Sequence, residues 1–252
     1  MNLVEVENLN LFFPSKKEAV LKNFNFKISP GEVHAIIGAS GSGKSSFALN
    51  LLNLSPENSK IDFDKFQILG KDRKSISNKE WKNIRGKNII LIPQNPIHSF
   101  HPYLSVGYQI FDYLKLKNIQ KSKSEIEETL NSFGIKNSSK KLEVKPSFLS
   151  GGERQRIIIA MCSFLKPEII LADEPTTALD SLNEKVTLEV LIKQVKNQNS
   201  ALILITHDRR LVRELANTIT VLKHGKLVET FSWKTRSKSD YSNIYTKQLL
   251  DD

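Results

Sequence analysis

The sequence predicts an α/β fold, a doubly wound core in which a mostly parallel sheet is covered by helices on both faces. Three observations predict it. Short apolar runs at residues 33–37, 89–92, 169–172 and 202–206 each end in a loop with polar or glycine residues. Runs this apolar suit strands buried on both faces. Helical patterns at 45–54, 125–133, 152–165, 182–195 and 209–217 lie among them, and such alternation builds a layered α/β domain. Residues 96–148 break the rhythm, being polar, Lys- and Ser-rich, and helical where periodic.

Taken in order, the first thirty residues read as antiparallel strands at 3–9 and 24–28 around a turn-rich stretch at 14–18. Gly134 follows the helix at 125–133 as its C-terminal cap, and Pro167 stops the helix at 152–165. Residues 96–148 are expected to form a small helical subdomain inserted into a core made of 1–95 and 149–230. Residues 231–252 read as a basic tail, and the whole of 1–252 as a single domain.

The 37 basic and 27 acidic residues leave a formal charge of +10. Acids are interleaved and basic blocks are short, which suits Lys-rich solvated faces; an anionic membrane surface or nucleic acid is the alternative. Cys162 is the one cysteine and sits in the apolar run 157–165, as a buried inert thiol would. No intramolecular disulfide and no cysteine metal cluster is possible. The N-terminus lacks a signal-peptide pattern, and no window approaches the roughly 18 apolar residues of a membrane span. A cytoplasmic chain is expected, with any membrane role supplied by partners.

The most specific local signal is Gly38-Ala39-Ser40-Gly41-Ser42-Gly43-Lys44-Ser45, a full G-x-x-x-x-G-K-[ST] between a strand and a helix. Glycines let backbone N–H groups converge on a phosphate, and the helix beginning near Ser45 adds its positive dipole end. Lys44 offers a mobile cation to the β- and γ-phosphates, and Ser45 a hydroxyl to Mg²⁺. The apolar run 169–172 ends in Asp173 and Glu174. Asp173 at a strand tip can hold Mg²⁺ through water, and Glu174 is placed to polarise an attacking water; a helix-cap role is the plainer alternative.

Leu149-Ser150-Gly151-Gly152-Glu153 closely resembles the L-S-G-G-Q signature of the ATP-binding-cassette (ABC) ATPases. Gln94 in Ile92-Pro93-Gln94-Asn95-Pro96 resembles that family's Q-loop glutamine, Ala178-Leu179-Asp180 its D-loop, and His207 in Ile205-Thr206-His207-Asp208 its switch histidine. Phe13 stands where the family places an adenine-stacking aromatic, although alone it would read as core. The resemblance covers nearly the whole chain and implies a RecA-like P-loop NTPase core with an N-terminal antiparallel β-subdomain and an inserted helical subdomain. It implies ATP and Mg²⁺ as cofactors, with Ser45, Gln94 and Asp173 on the metal and Gln94, Glu174 and His207 in the catalytic set. Nucleotide contacts are expected from Phe13, Gly38, Ser40, Gly41, Ser42, Gly43, Lys44, Ser45 and Ser46. Ser150, Gly151, Gly152 and Asp180 are expected to serve ATP held by an opposing subunit. Glu153 departs from the family's glutamine, and with Ser150 it also matches the S-x-x-E helix capping box.

Residues 81–87 (Trp-Lys-Asn-Ile-Arg-Gly-Lys) and 95–103 (Asn-Pro-Ile-His-Ser-Phe-His-Pro-Tyr) resemble the peptide, nickel and metallophore importers within that family. So does the tail segment 244–250 (Ile-Tyr-Thr-Lys-Gln-Leu-Leu), with Ile244 in place of the family's proline. The cysteine-bearing extension of some relatives is missing, so no iron–sulfur cluster is expected. The resemblance implies two membrane permease subunits, a second ATPase subunit (a different one more readily than a copy), an extracellular substrate-binding protein acting indirectly, and a place at the cytoplasmic face of the cell membrane. In the family a permease helix docks between the Q-loop and the helical subdomain. Phe100 and Tyr103 either anchor that contact or belong to the subdomain's core. An exporter ATPase is the nearer rival. A nucleic-acid ATPase is the remoter one, since no long coiled coil separates phosphate loop from signature, and no nucleic-acid partner is expected. The transported substrate is not encoded in these residues.

Overall fold

The apolar runs lie side by side as strands, with their side chains divided between the two faces of the sheet. The computed structural model describes residues 1–176, 181–234 and 242–250. In chain order the elements are β1 (Val4–Phe12), β2 (Leu21–Ile28), β3 (Val33–Ile37), α1 (Lys44–Leu51), β4 (Lys60–Asp62), β5 (Lys65–Ile68), β6 (Lys71–Asp72), α2 (Asn78–Ile84) and β7 (Ile89–Ile92). They continue with α3 (Val106–Leu116), α4 (Lys123–Ser132), α5 (Ser138–Glu143), α6 (Gly151–Leu165), β8 (Ile169–Asp173), α7 (Ser181–Gln198), β9 (Ala201–Ile205), α8 (Arg209–Leu215), β10 (Thr218–Lys223), β11 (Lys226–Ser232) and α9 (Ile244–Leu250).

The main sheet runs β11-β10-β3-β9-β8-β7, parallel except for the β10–β11 hairpin. Successive residues point to opposite faces of a strand, and both faces are buried here. Ile89, Ile169, Leu171, Ile203 and Ile205 join Phe47 and Leu51 of α1 on one side. Ile90, Ile92, Ile170, Ala172, Leu202 and Leu204 join α6 and α7 on the other. The doubly wound α/β class is thus what the structure has, and the side-chain division explains why each run is apolar throughout rather than alternating.

The antiparallel sheet runs β6-β5-β1-β2, with β4 on the end of β1. Its strands after β2 come from residues 60–72, beyond the phosphate loop, where the sequence reading placed no strand. These strands are too short to carry a period of their own; their register is imposed by β1. The two sheets meet at one parallel pairing, Lys226 with Lys22. Residues 81–87 begin within α2, where Ser77 and Glu80 form a reciprocal cap and Trp81 and Ile84 are buried in the first core. This importer-like stretch therefore has a packing role in the fold.

Between β7 and α6 the chain forms α3, α4 and α5 around a third core that includes Ile110, Leu114, Ile126, Leu130, Leu142 and Ile157. Ser105 caps α3, and Ser122 with Glu125 caps α4 reciprocally. Phe100 is buried, with 8% of its surface exposed, whereas Tyr103 is 75% exposed. Of the two readings of Phe100, the structure shows the core one. α4 ends at Gly134 in the left-handed region (φ 75°), as a C-terminal cap requires. α6 ends at Leu165, as expected, with Lys166 in a left-handed cap just before Pro167. Cys162 is buried, and burial pushes its thiol up to about 12.

The basic tail holds α9. Leu250 is fully buried with Val212, Ile219, Val221 and Phe231, and Tyr245 and Leu249 pack against this fourth core. Seven residues give too few turns for a periodic signal, so this helix is legible only in its contacts.

Candidate active site

A cavity of about 550 Å³ opens where β3, β8 and β9 end and α1 begins. It gathers Phe13, Gly38, Ser40, Gly41, Ser42, Gly43, Lys44, Ser45, Ser46, Gln94, Asp173, Glu174 and His207. Lys16, Val20 and Ile205 also line it. Those three are not legible in the sequence, because a lone lysine and two aliphatic residues carry no motif.

The loop 38–43 is shaped by positions where a side chain cannot fit. A Cβ on Gly38 (φ 150°) would stand 2.1 Å from the Leu222 carbonyl oxygen. On Gly43 (φ 108°) it would stand 2.8 Å from the Val20 carbonyl oxygen. Gly43 is the N-cap of α1 and has no side chain to satisfy the helix's first N–H groups, so these remain for an anion. The Ser42 hydroxyl is buried without a partner, a further group waiting for a ligand.

Lys44 folds back on its own loop. Its ammonium donates to the carbonyl oxygens of Gly38 (2.8 Å) and Ala39 (3.0 Å). Burial lowers its pKa, opposed by the negative charges of Glu174 and then Asp173. Asp173 is pushed the other way: burial raises its pKa, as does Glu174, while a hydrogen bond from Ser45 and the Lys44 charge oppose the rise. Ser45 and Asp173 therefore form a hydroxyl–carboxylate pair at the strand tip. Oxygen donors of this kind suit Mg²⁺, which takes few protein ligands and otherwise holds water and phosphate. Among the described residues no group of three or more His, Cys, Asp or Glu could hold a metal by itself, so the pair fits an ion that arrives with a nucleotide.

Glu174 stands in the left-handed region (φ 48°), and its N–H donates to the Ile205 carbonyl at 2.8 Å. This kink turns the carboxylate off the strand and into the cavity. Oε1 lies 2.7 Å from His207 Nδ1, and the Thr206 hydroxyl donates to Oε2 at 3.5 Å. The glutamate is largely sheltered and the histidine 69% exposed, so the imidazole reaches outward from a carboxylate that holds it. Thr206 also accepts the N–H of Asp208, the cap of α8. Its role was unread because threonine at a strand end carries no specific chemistry.

Gln94 is exposed at the end of β7. The preceding Pro93 carbonyl accepts a 3.4 Å bond from buried Gln155 of α6, which ties the glutamine loop to the signature helix. Ser150, Gly151 and Gly152 are not brought to the cavity; they stand at the start of α6, where Ser150 is exposed and capped reciprocally by Glu153. Glu153 also meets Lys141 of α5 at 3.0 Å. Its burial would raise the carboxyl pKa, and the Ser150 N–H together with Lys141 outweighs this and lowers it. The added charge is thus neutralised within the chain. Asp180 lies outside the described residues.

A second cleft of about 450 Å³ lies between β7, α3 and α6 and is lined by Ile90, Leu91, Leu104, Tyr108, Tyr113 and Leu116 among others. No helix among the described residues is long and apolar enough to cross a membrane.

Residues 21–177 match the profile of the ABC transporter family. The chain is 36% identical over 235 residues to the dipeptide transport ATP-binding protein DppD of Escherichia coli, covering 91% of this chain and 72% of that one. It is 34% identical to the metal-staphylopine import system ATP-binding protein CntD of Staphylococcus aureus, over 99% of this chain and 93% of that one. It is 34% identical to the oligopeptide transport ATP-binding protein OppD of Lactococcus lactis, over 99% and 75%. Among solved structures, the fold matches a dimeric post-hydrolysis ATP-binding cassette bound to ADP and Pi with a TM-score of 0.75 at 27% identity, covering 93% of this chain and 99% of that one. It also matches a subunit of an ABC transporter complex from Clostridium perfringens with a TM-score of 0.72 at 26% identity, over 93% and 90%.

Proposed function

This chain belongs to the ABC transporter family, as an ATP-binding subunit that hydrolyses ATP to power transport, and from that premise we propose that it energises the import of short peptides or of nickel or other metal–chelate complexes. The observation that carries the ATPase chemistry is the single cavity holding the phosphate loop, Asp173, Glu174, Gln94 and His207 together. The importer reading rests on relatives named for dipeptide, oligopeptide and metal-staphylopine transport, each matching at least 91% of this chain.

Phe13, half-buried at the cavity's edge, is assigned to the adenine ring. The loop N–H groups and the start of α1 receive the phosphates, and Lys44 exchanges its two loop carbonyls for phosphate oxygens. Ser45, Asp173 and Gln94 are the residues that would hold Mg²⁺, whose charge offsets that of the phosphates. Glu174 is assigned as the base. It takes a proton from the water whose oxygen attacks the γ-phosphorus, the bond to the ADP oxygen breaks, and phosphate leaves. His207, held at 2.7 Å by that carboxylate, is positioned to contact the γ-phosphate. Ser150, Gly151 and Gly152 stand at the start of α6, outside this chain's own cavity, and are assigned to ATP bound by a second ATPase subunit, as is Asp180.

The cleft between β7, α3 and α6 suits a cytoplasmic helix of a permease subunit. Leu116 (71% exposed), Tyr108 (58%) and Leu104 (39%) would supply apolar contact around it. On this reading the chain works at the inner membrane face, held by protein contacts, with an external binding protein delivering cargo. The test is to purify the chain with its permeases, reconstitute them in liposomes, and measure ATP hydrolysis with the binding protein loaded with peptide or with metal chelate. Stimulation by one of the two is expected. Stimulation by neither would refute import of these cargoes, and failure to recover any membrane protein with the chain would refute the peripheral assignment.

A further inference from the structure

The function above leaves α9 unused, yet this helix touches the phosphate loop. The backbone N–H of Ala39 donates to the Tyr245 hydroxyl at 3.0 Å, across 206 positions of sequence. The tyrosine ring is fixed from the other side by Lys223, whose ammonium stands 4.4 Å from the ring centroid. From there α9 runs to α8, the helix that follows His207. Arg209 donates to the Gln248 carbonyl at 3.2 Å, and Arg213 donates to the Leu250 carbonyl. Leu250 is buried against Val212 of α8 and Ile37, the residue before the loop. One short helix therefore bridges the first peptide of the phosphate loop and the helix leaving the switch histidine.

We propose that Tyr245 is a positioning residue for nucleotide binding, holding the Gly38–Ala39 end of the phosphate loop in place when Lys44 leaves it for phosphate. Without nucleotide, Lys44 holds the carbonyls of Gly38 and Ala39. A phosphate that draws the ammonium into the cavity competes with these two carbonyls for its three N–H donors. The Ala39 N–H, which donates to Tyr245, is not part of that exchange. It stays satisfied in both states, so the loop does not have to reorganise as its lysine departs. The other ties of the loop lie further along it, where the Ser42 N–H donates to the Ala39 carbonyl (3.2 Å) and the Gly225 N–H to the Ser42 carbonyl (3.0 Å), so without the tyrosine hydroxyl the Ala39 N–H loses its anchor as the lysine departs. The proposal concerns ATP binding by this chain and is independent of the transported cargo.

Tyr245→Phe removes one hydroxyl and keeps the ring against Lys223 and the fourth core. A typical single hydrogen bond changes an equilibrium by roughly five-fold. The variant is expected to raise KM for ATP about five-fold in the full transporter, with kcat within about two-fold and the thermal midpoint of the nucleotide-free chain unchanged. The Kd of a fluorescent ATP analogue for the full-length chain should rise by the same factor, and exchange of the Ala39 amide with deuterium should quicken. Tyr245→Leu, which loses the hydroxyl and the aromatic ring, separates the roles further: it should match the phenylalanine variant in KM while also lowering the midpoint. An unchanged KM in Tyr245→Phe overturns the proposal. So does a lower midpoint with unchanged KM, which would make the contact one of packing, and so does a fall in kcat alone.

Discussion

Replacing Glu174 by glutamine tests the chemistry most directly, because the change is confined to one property. The amide has the shape of the carboxylate, can still accept from His207 at the 2.7 Å contact and still meets the Thr206 hydroxyl. The local fold and the kink at φ 48° are therefore kept. Proton acceptance is lost. General-base assistance contributes about 10²–10⁴ in rate, which corresponds to roughly 3–5 kcal/mol of barrier. Binding should move the other way, if at all. Glu174 is the leading negative charge acting on Lys44, ahead of Asp173, and its removal lessens repulsion of the polyphosphate. The expected variant binds ATP at least as well as the unmodified chain and turns over at least about 100-fold more slowly. With its correct partner subunit it accumulates as a closed pair. ATP hydrolysis with Mg²⁺, and light scattering during size exclusion with and without nucleotide, read both properties. Hydrolysis within ten-fold of the unmodified rate would remove Glu174 from the role of base. Tight ATP binding without closure would refute the assignment of Ser150, Gly151 and Gly152 to a neighbour's nucleotide.

Other consequences can be checked as simply. Lys44→Ala should fold normally by circular dichroism, since it deletes a partly desolvated cation, yet lose ATP hydrolysis by about 100-fold or more; near-normal turnover would refute the phosphate-loop role. Phe100→Ala should destabilise the helical region by about 3–5 kcal/mol, whereas Tyr103→Asp, at a 75% exposed position, should leave the thermal midpoint alone and reduce permease recovery. Equal permease recovery in Tyr103→Asp would move the docking surface elsewhere. His34 is buried with Nδ1 donating to the Lys27 carbonyl (3.0 Å), so Nε2 accepts from Thr220 (2.7 Å). Burial lowers its pKa from 6.5 to about 4, against the opposing charge of Glu32. The unfolded chain takes up the proton first as pH falls, so stability should decline below pH 6.5, by about 2 kcal/mol at pH 5. A decline that persists in His34→Gln would belong to another group.

The sequence carries the main sheet because burial on both faces leaves only two polar positions in 33–37, 89–92, 169–172 and 202–206: His34, whose ring is wholly engaged, and Thr206 at a strand end, whose hydroxyl is bonded. It carries the phosphate loop because glycines 38 and 43 answer to contacts that exclude a Cβ. It does not carry β4, β5 and β6, which have three, four and two residues, because their pairing energy comes from β1. Nor does it distinguish Phe100 from Tyr103, since two aromatics three positions apart look alike until the packing of α3 and α5 is known. Thr206 and Tyr245 escape for a related reason. A hydroxyl becomes specific only through its partner, and Tyr245 finds its own in Ala39. Glu153 is the instructive intermediate case. The capping box was legible, but the neutralising Lys141 sits on a helix whose position the sequence does not state.

The strand that bears the phosphate loop has a notable place in the order of synthesis. β3 is flanked by β9 on one side and β10 on the other, and both are made after residue 200. The Gly225 N–H then donates to the Ser42 carbonyl at 3.0 Å, and Tyr245 arrives later still. A ribosome therefore extends most of this chain before the loop can acquire its floor. The early apolar segment 33–37 must wait with both edges unpaired, a state prone to association with other chains. Residues 21–177, the stretch recognised as the family's, would leave β3 without either neighbour if cut out alone. The nucleotide site thus takes its shape only after residues beyond 200 have been made.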